Sequence, residues 1–232
     1  LSMTACVSSK KYKAATASAL AAKNAGDSLM KKGNDLQTQL DNAISSNKML
    51  TEERDRYQKE TDSASGKLKT LQSAVDDYTG SVDQLQKKTA DRMADYAERG
   101  VEVTNKDGMV HVTMQDKLLY KKGSNKVAKD GETALGTLAS VLNENPNLKV
   151  LVVGHTDDRA GKGGDNWTVS TERANNIVRM LKTMKIDPSR LTSAGQGQYN
   201  AAGDNSTAEG RAQNRRTEII LSPESFKLLN KE

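Results

Sequence analysis

The sequence predicts a protein of two parts, in which a long α-helical coiled coil precedes one α/β sandwich domain. Only 35% of the 232 residues are hydrophobic and 3% are aromatic, which is too little apolar material for one large globule. All three prolines, the only Trp and the only Phe lie after residue 145. The apolar spacing also changes from about 3.5 to 2 residues near residue 100. We therefore predict a coiled coil over residues 10–98 and the domain over residues 99–232.

The coiled coil is predicted from a heptad repeat that keeps one phase from Leu29 to Tyr96. Asn47 occupies an a position, where Asn often sets register, although chance placement explains it equally well. At about 1.5 Å per residue this segment would extend roughly 100 Å. Its narrow stripe needs a second helix, and no Pro/Gly-rich turn marks a hairpin, so we expect a homo-oligomer. The apolar heptad positions include Leu29, Leu36, Leu50, Leu71 and Leu85 at d, and Leu40, Leu68, Val75 and Val82 at a.

The domain is predicted to begin with a β-hairpin. Val101 and Val103 alternate with polar residues, as do Val110 and two further apolar residues after it. The dipeptide Asp107-Gly108 between the two runs is a strong signal for a two-residue hairpin turn.

The remaining elements alternate between helix and strand. We predict a helix capped by Asp130 and ended by Asn145-Pro146, a buried strand over residues 149–154, and a second helix from about Ser170. Two short strands, residues 191–194 and 217–221, follow. This order predicts an α+β or α/β sandwich with helices on a mixed sheet. The apolar faces of the two helices are Leu135, Leu138, Leu142, Ala174, Ile177, Leu181 and Met184.

Composition excludes several functions. The net charge of +5 is small and scattered, which does not indicate nucleic-acid binding. His155 has no ligand partner at metal spacing, and neighbouring Asp157 and Asp158 point to opposite sides of an extended chain. We therefore predict neither an enzyme nor a metal or cofactor site. No run of 18 apolar residues exists, so no membrane-spanning helix is predicted.

The first residues suggest a lipid anchor. The run Leu1-Ser2-Met3-Thr4-Ala5-Cys6 resembles the end of a bacterial lipoprotein signal, with Met3 where that signal usually has Leu. The resemblance implies that residues 1–9 are a signal remnant and tether, and that Cys6 is lipidated. The alternative is a stray cysteine near a terminus.

Four separated motifs follow one another in the domain: Gly154-His155-Thr156-Asp157, Asn166-Trp167-Thr168-Val169-Ser170-Thr171-Glu172-Arg173-Ala174, Gly195-Gln196-Gly197 and Asn205-Ser206-Thr207-Ala208-Glu209-Gly210-Arg211-Ala212-Gln213-Asn214-Arg215-Arg216. They resemble the OmpA-like peptidoglycan-binding family, and the resemblance covers residues 101–221, with residues 119–123 similar to the opening strand of that family. It implies a domain that binds the peptide stem of peptidoglycan at diaminopimelate, without chemistry.

The resemblance also implies a ligand site. Asp157 would meet the ammonium of the diaminopimelate zwitterion and Arg173 its carboxylate. Charge complementarity suits both roles, because a guanidinium can bind a carboxylate through two hydrogen bonds. The spacing from Asp157 to Arg173 is one residue longer than is common in the family. This difference affects the expected conformation of the loop between them more than the two residues themselves. The further candidates, from matching motif positions, are Asn166, Thr171, Asn205 and Arg216.

These features together predict a cell-envelope tether. We expect the domain to bind peptidoglycan, and a lipid on Cys6 to hold the chain on the periplasmic side of the outer membrane. The alternative is a structural coiled-coil scaffold or periplasmic chaperone whose C-terminal domain binds protein. A cell-wall hydrolase would need an activated water or a paired acid and base, and the sequence offers neither.

Overall fold

The computed structural model describes residues 8–121, 123–159 and 165–223. Cys6, which is predicted to carry lipid, lies outside these residues. The chain divides into two compact units, residues 1–71 and 72–232. The division therefore falls well before the boundary that the sequence predicts at residues 98/99.

The first unit is formed by most of helix α1, which runs without interruption from Ser9 to Met93. Residues with good helix propensity dominate it, and i,i+4 Gln-to-Asp hydrogen bonds recur along its surface. The predicted heptad leucines of this unit are exposed, among them Leu29 at 70% and Leu68 at 67%. The helix contains no turn, so a folded-back hairpin does not form within it.

The last turns of α1 belong to the second unit. Most of their heptad residues are buried in the core of the domain, whereas the heptad repeat predicts that they face a second chain. The Tyr78 hydroxyl also donates a hydrogen bond to the Gly108 carbonyl at 2.8 Å. Part of the predicted coiled-coil seam is thus a helix packed on its own domain. The buried residues are Val82, Leu85, Thr89 and Met93, followed by Tyr96 in the 3-10 turn Ala94–Arg99.

A five-stranded mixed sheet forms the centre of the domain, in the order β1-β2-β5-β3-β4. Only β3 and β4 are parallel, and the other neighbours are antiparallel. The predicted mixed sheet and hairpin are confirmed, and Asp107 and Gly108 both have the positive φ that a two-residue hairpin turn requires. The strands are β1 Val101–Lys106, β2 Met109–Gln115, β3 Leu148–Gly154, β4 Leu191–Gly195 and β5 Arg216–Pro223.

The helices of the domain complete a two-layer sandwich. One face of the sheet carries Val112, Val152 and Ile219, which are fully or almost fully buried and share one core with the long helices and the end of α1. The strand alternation that the sequence predicts places these residues on the same side. The helices are α2 Asp116–Leu119, α3 Lys129–Glu144, α4 Asn166–Thr183 and α5 Ala208–Asn214.

The helix starts differ from the sequence predictions. Asp130 does not cap α3, whose N-cap is Ala128 without a side-chain hydrogen bond. Helix α4 begins four residues before Ser170, because the Asp165 side chain caps it by accepting a hydrogen bond from the Thr168 amide at 2.7 Å. Helix α5, which the sequence analysis does not predict, is capped in the same way by Thr207.

Candidate functional site

The end of β3 is held tightly against the start of α4. Gly154 is required there, since a Cβ atom on it would lie 2.2 Å from the Ser170 carbonyl oxygen. The next residues leave the strand through backbone hydrogen bonds, from His155 to the Arg216 carbonyl and from Thr156 to the Gly197 carbonyl, each at 2.9 Å. These bonds fix Asp157, which is only 7% exposed, at the end of the strand.

Beside this strand end lies a cleft of about 610 Å³. Its wall comes from the segment after β2, from α4 and from the residue before β5. Cationic side chains dominate the lining, so the potential in the cleft favours an anionic ligand. The lining residues are Asp116, Lys117, Tyr120, Lys121, Gly123, Arg159, Arg173 and Arg215.

Two ion pairs organise the cleft. Arg173 donates from Nη1 to Asp116 Oδ2, and Arg215 Nη1 lies 2.5 Å from Asp157 Oδ2. The Arg159 backbone amide donates to the other Asp157 oxygen at 3.2 Å. Acids and guanidinium groups therefore alternate, and each charge has an opposite partner.

The deeper of the two pairs is poorly solvated. Burial raises the pKa of Asp116 to about 6, and the guanidinium groups of Arg173 and Arg215 limit that rise. Asp116 Oδ1 and Arg173 Nε are buried and have no hydrogen-bond partner in the described part of the chain. The Arg173 guanidinium also lies 4.9 Å from the centre of the Tyr120 ring, whose hydroxyl donates to the Arg173 carbonyl at 3.1 Å. The pair thus keeps unused hydrogen-bonding capacity next to the cleft.

The structure places Asp157 and Arg173 in one charge cluster, linked through Asp116 and Arg215. Asn166 adjoins the cluster, because its side-chain nitrogen donates to the Asp157 carbonyl at 3.2 Å and to Gln198 Oε1 at 2.6 Å. Asn166 therefore supports the loop that carries Asp157.

Of the six predicted site residues only Arg173 lines the cleft itself, and Asp157 is joined to the lining through Arg215. Three of the others lie elsewhere. Thr171 lies against β4, since a Cβ on Gly195 would be 2.3 Å from its hydroxyl. Asn205 Oδ1 accepts a hydrogen bond from Asn214 at 2.7 Å and so holds the loop before α5. Arg216 pairs with Glu218 at 2.6 Å and lines a separate cavity of about 560 Å³.

Three residues that line the cleft, Asp116, Tyr120 and Arg215, are not among the site residues that the sequence predicts. Arg215 and Arg216 are neighbours at the start of a strand, so their side chains point to opposite faces, and Arg215 is the one that reaches Asp157. Asp116 follows directly on β2 and belongs to none of the quoted motifs. Tyr120, expected in an opening strand, forms only an isolated bridge with Val127 after the helical turn α2.

His155 adds no chemistry to the cleft. It is 1% exposed, and Glu218 Oε1 lies 3.5 Å from its Nε2 atom. Burial, reinforced by the nearby Arg216 charge, lowers the pKa of His155 to about 4. In the described ranges, no cluster of three or more His, Cys, Asp or Glu residues could hold a metal ion.

The fold and the site define a small α/β binding domain with a charged cleft at the strand ends. Residues 119–215 match the OmpA family. The chain therefore carries an OmpA-family domain, preceded by a long helix. Within the residues that the structure describes, no helix combines the length and the apolar character needed to cross a membrane.

Two curated relatives match this part of the chain. The probable lipoprotein YiaD of Escherichia coli is 38% identical over 124 residues, which are 53% of this chain and 56% of YiaD. The peptidoglycan-binding protein ArfA of Mycobacterium tuberculosis is 33% identical over 88 residues, 38% of this chain and 27% of ArfA. The chain spans about half the length of the first curated relatives that it matches.

Several solved structures share the fold, two of which are a MotB-like protein and a cell wall anchor. A MotB-like protein from Desulfovibrio vulgaris superposes with a TM-score of 0.60 at 25% identity, over 64% of this chain and 94% of that one. The cell wall anchor of the type VI secretion system of Pseudomonas aeruginosa superposes with a TM-score of 0.54 at 30% identity, over 58% of this chain and 96% of that one. Both matches cover nearly the whole of the solved chain.

Proposed function

We propose that this chain binds peptidoglycan non-covalently through the cleft around Asp157 and Arg173, and so tethers a membrane to the cell wall. The observation that carries the proposal is the alternation of carboxylates and guanidinium groups in a cleft of an OmpA-family domain. Two similar proteins support the proposal: ArfA is a peptidoglycan-binding protein, and the Pseudomonas protein is a cell wall anchor.

The ligand group proposed is the zwitterionic centre of diaminopimelate in the peptide stem. Its ammonium would replace the Arg215 guanidinium at Asp157, and its carboxylate would replace Asp116 at Arg173. Each replacement exchanges one ion pair for another, so no buried charge is left alone during binding. Asp116 and Arg215 are both released by the exchange, and their opposite charges allow them to pair with each other.

The other charges of the cleft suit the rest of the stem. A peptide stem carries additional carboxylates, and Lys117, Lys121 and Arg159 contribute positive charge to the lining. Exposed cations of this kind accelerate and orient the encounter with an anionic ligand more than they tighten the complex. We expect this part of the binding to weaken as salt concentration rises.

The proposal includes a lipid anchor on Cys6 and a place on the periplasmic side of the outer membrane. YiaD is described as a probable lipoprotein, which supports an anchor of this type. Mass spectrometry of the N-terminus of the protein from its native cell tests it. A fragment that carries diacylglycerol on Cys6 is the expected result, and an unmodified Cys6 thiol in a chain that still bears Leu1 would contradict it.

We also propose that the first unit self-associates through its exposed heptad leucines. The seam available to a second chain ends before Tyr78, because the later heptad positions are buried in the domain. Leu36, Leu50 and Leu71, each at least 51% exposed, would fill it. Thermal melting of residues 8–71 should depend on concentration, and a melting temperature unchanged over a hundredfold dilution would contradict the proposal.

Co-sedimentation with purified sacculi tests the proposed function. The unmodified chain should pellet with sacculi at moderate salt. Asp157→Asn keeps the side-chain volume and removes the charge, and Arg173→Ala removes the guanidinium. Loss of one partner of a desolvated pair costs about 2–5 kcal/mol, so each variant should bind roughly thirtyfold more weakly or worse.

The controls separate binding from folding. Lys182→Ala changes an exposed cation on α4 outside the cleft and should bind like the parent. Arg173→Ala also leaves buried Asp116 without its partner, so its melting temperature should fall, and Asp157→Asn is the cleaner variant. If the parent remains in the supernatant, or if folded Asp157→Asn binds like the parent, the proposal is wrong. The alternative of a scaffold whose domain binds protein would then be favoured.

A further inference from the structure

Two exposed aromatic rings stack next to the charged cleft. Trp167, in the first turn of α4, and Tyr199, after β4, have ring centroids 5.3 Å apart and planes inclined by 28°. They are 51% and 70% exposed, and within the described part of the domain they are the only large aromatic side chains so exposed. Aromatic side chains of this size are normally buried, and an exposed stacked pair indicates a contact surface.

The pair is held in place by its surroundings. The turn that carries Tyr199 lies against the start of α4, where the Gly197 amide donates to the Ser170 hydroxyl at 3.0 Å. Gly197 has φ 56°, which permits the turn. Asn166 and Gln198, the residues just before each ring, are joined by a side-chain hydrogen bond of 2.6 Å. The rings therefore form a preorganised surface, which loses little conformational entropy when a ligand binds.

The same hydrogen bonds connect this surface to the cleft. Asn166 also donates to the Asp157 carbonyl, and the amide of Thr156, just before Asp157, donates to the Gly197 carbonyl. The aromatic pair and Asp157, whose carboxylate is proposed to bind the ligand, thus belong to one hydrogen-bond network. A ligand that extends beyond the cleft by a few residues can reach both.

The surface has the chemistry of a sugar site. A hexosamine has an apolar C–H face that can stack on an aromatic ring. Its hydroxyl and acetamido groups lie around the edge of the sugar ring. The Gln198 amide nitrogen and the Tyr199 hydroxyl have no hydrogen-bond partner among residues 8–121, 123–159 and 165–223. Both groups therefore remain available to the hydroxyl and acetamido groups of a sugar.

We propose that Trp167 and Tyr199 form a stacking platform for the hexosamine that carries the peptide stem, an inference that rests on the proposed function. Diaminopimelate lies a few residues along the stem, and three extended residues span roughly 10 Å. The sugar therefore contacts a surface beside the cleft while diaminopimelate occupies the cleft itself. One network of hydrogen bonds therefore positions the residues that bind the glycan and those that bind the peptide.

Calorimetry with two defined ligands tests the platform: a stem tripeptide that ends in diaminopimelate, and the same tripeptide attached to its disaccharide. The unmodified chain should bind the disaccharide-tripeptide roughly three- to tenfold more tightly than the tripeptide. Trp167→Ala and Tyr199→Ala should lose that advantage and keep the affinity for the tripeptide. Tyr57→Ala, at an exposed tyrosine of the first unit, is the matched control and should behave like the parent.

Trp167 also reports binding directly, because it is the only tryptophan. The disaccharide-tripeptide should protect its fluorescence from acrylamide quenching, and the tripeptide alone should protect it less. Equal affinities for both ligands in the parent and in both folded variants would overturn the platform. If the parent binds neither ligand, the proposed function itself fails, so the two failures are distinguishable.

Discussion

Met93 offers a direct test of whether the end of α1 belongs to the core of the domain. It is 2% exposed and packs in the same cluster as the sheet, although it occupies neither an a nor a d position of the heptad repeat. Met93→Ala deletes three buried heavy atoms of its side chain and leaves a cavity at the centre of that contact. Buried Met-to-Ala changes cost about 2–5 kcal/mol.

The expected shift can be worked from the size of the second unit, residues 72–232. For a unit of this size, 1 kcal/mol moves the melting temperature by roughly 2–4 °C. A loss of about 3 kcal/mol therefore corresponds to roughly 6–12 °C. Trp167 fluorescence is the suitable assay, because the only tryptophan lies in the domain and does not report on the first unit.

Met49→Ala is the matched control for this experiment. Met49 lies on the same helix, is 65% exposed and belongs to the first unit. Its replacement should change the free energy of unfolding of the domain by less than about 0.5 kcal/mol. Equal melting temperatures for the two variants would refute the assignment of residues 78–96 to the core of the domain.

Two further predictions concern the boundary and the pH dependence of the domain. A fragment of residues 72–223 should unfold cooperatively, whereas a fragment of residues 99–223 lacks Val82, Leu85 and Met93 and should melt without a sharp transition. Calorimetry of the two fragments measures this difference. Equally cooperative melts would support a domain boundary at residues 98/99. Burial lowers the pKa of His155 from 6.5 to about 4, so the unfolded chain takes up the proton first and the domain loses about 3 kcal/mol as pH falls from 6.5 to 4. Burial raises the pKa of Asp116 from 3.8 to about 6, so the folded domain takes up that proton first and gains about 3 kcal/mol as pH falls from 6 to 3.8. Relative to the parent, His155→Gln should therefore become more stable as the pH falls, and Asp116→Asn should become less stable. Urea unfolding at pH 7 and pH 4 measures the free energy of unfolding of each variant. Stability differences from the parent that are the same at both pH values would show that neither group titrates in this range.

Part of the candidate site could be predicted before the structure was known. Asp157 and Arg173 stand in motifs with fixed spacing to a strand end and a helix start, so the resemblance placed them near each other. Asp116 could not be found in this way, because it lies 41 residues before Asp157 in the chain. Only the pairing of β2 with β5, which joins the Asp116 amide to the Arg215 carbonyl at 3.0 Å, brings it to the cleft.

The start of α4 shows a similar limit of local reasoning. The apolar residues Ala174, Ile177 and Leu181 predict the buried face of the helix, and that face is confirmed. The true N-terminus depends on the Asp165 cap, which precedes Val169, the first buried apolar residue of the helix, by four positions. A capping side chain acts through one backbone hydrogen bond, and the spacing of the apolar residues does not indicate which residue forms it.

The sequence alone predicts the order of the five strands and of helices α3 and α4, the hairpin turn, and the buried faces of these elements, because each of these features depends on residues close together in the chain. It also determined that residues 29–96 are helical with an apolar stripe. The surface that covers this stripe becomes visible only in the folded chain. From Val82 to Tyr96 the covering surface is the chain's own sheet and α3, since a period of 3.5 residues specifies an apolar face and does not specify its partner.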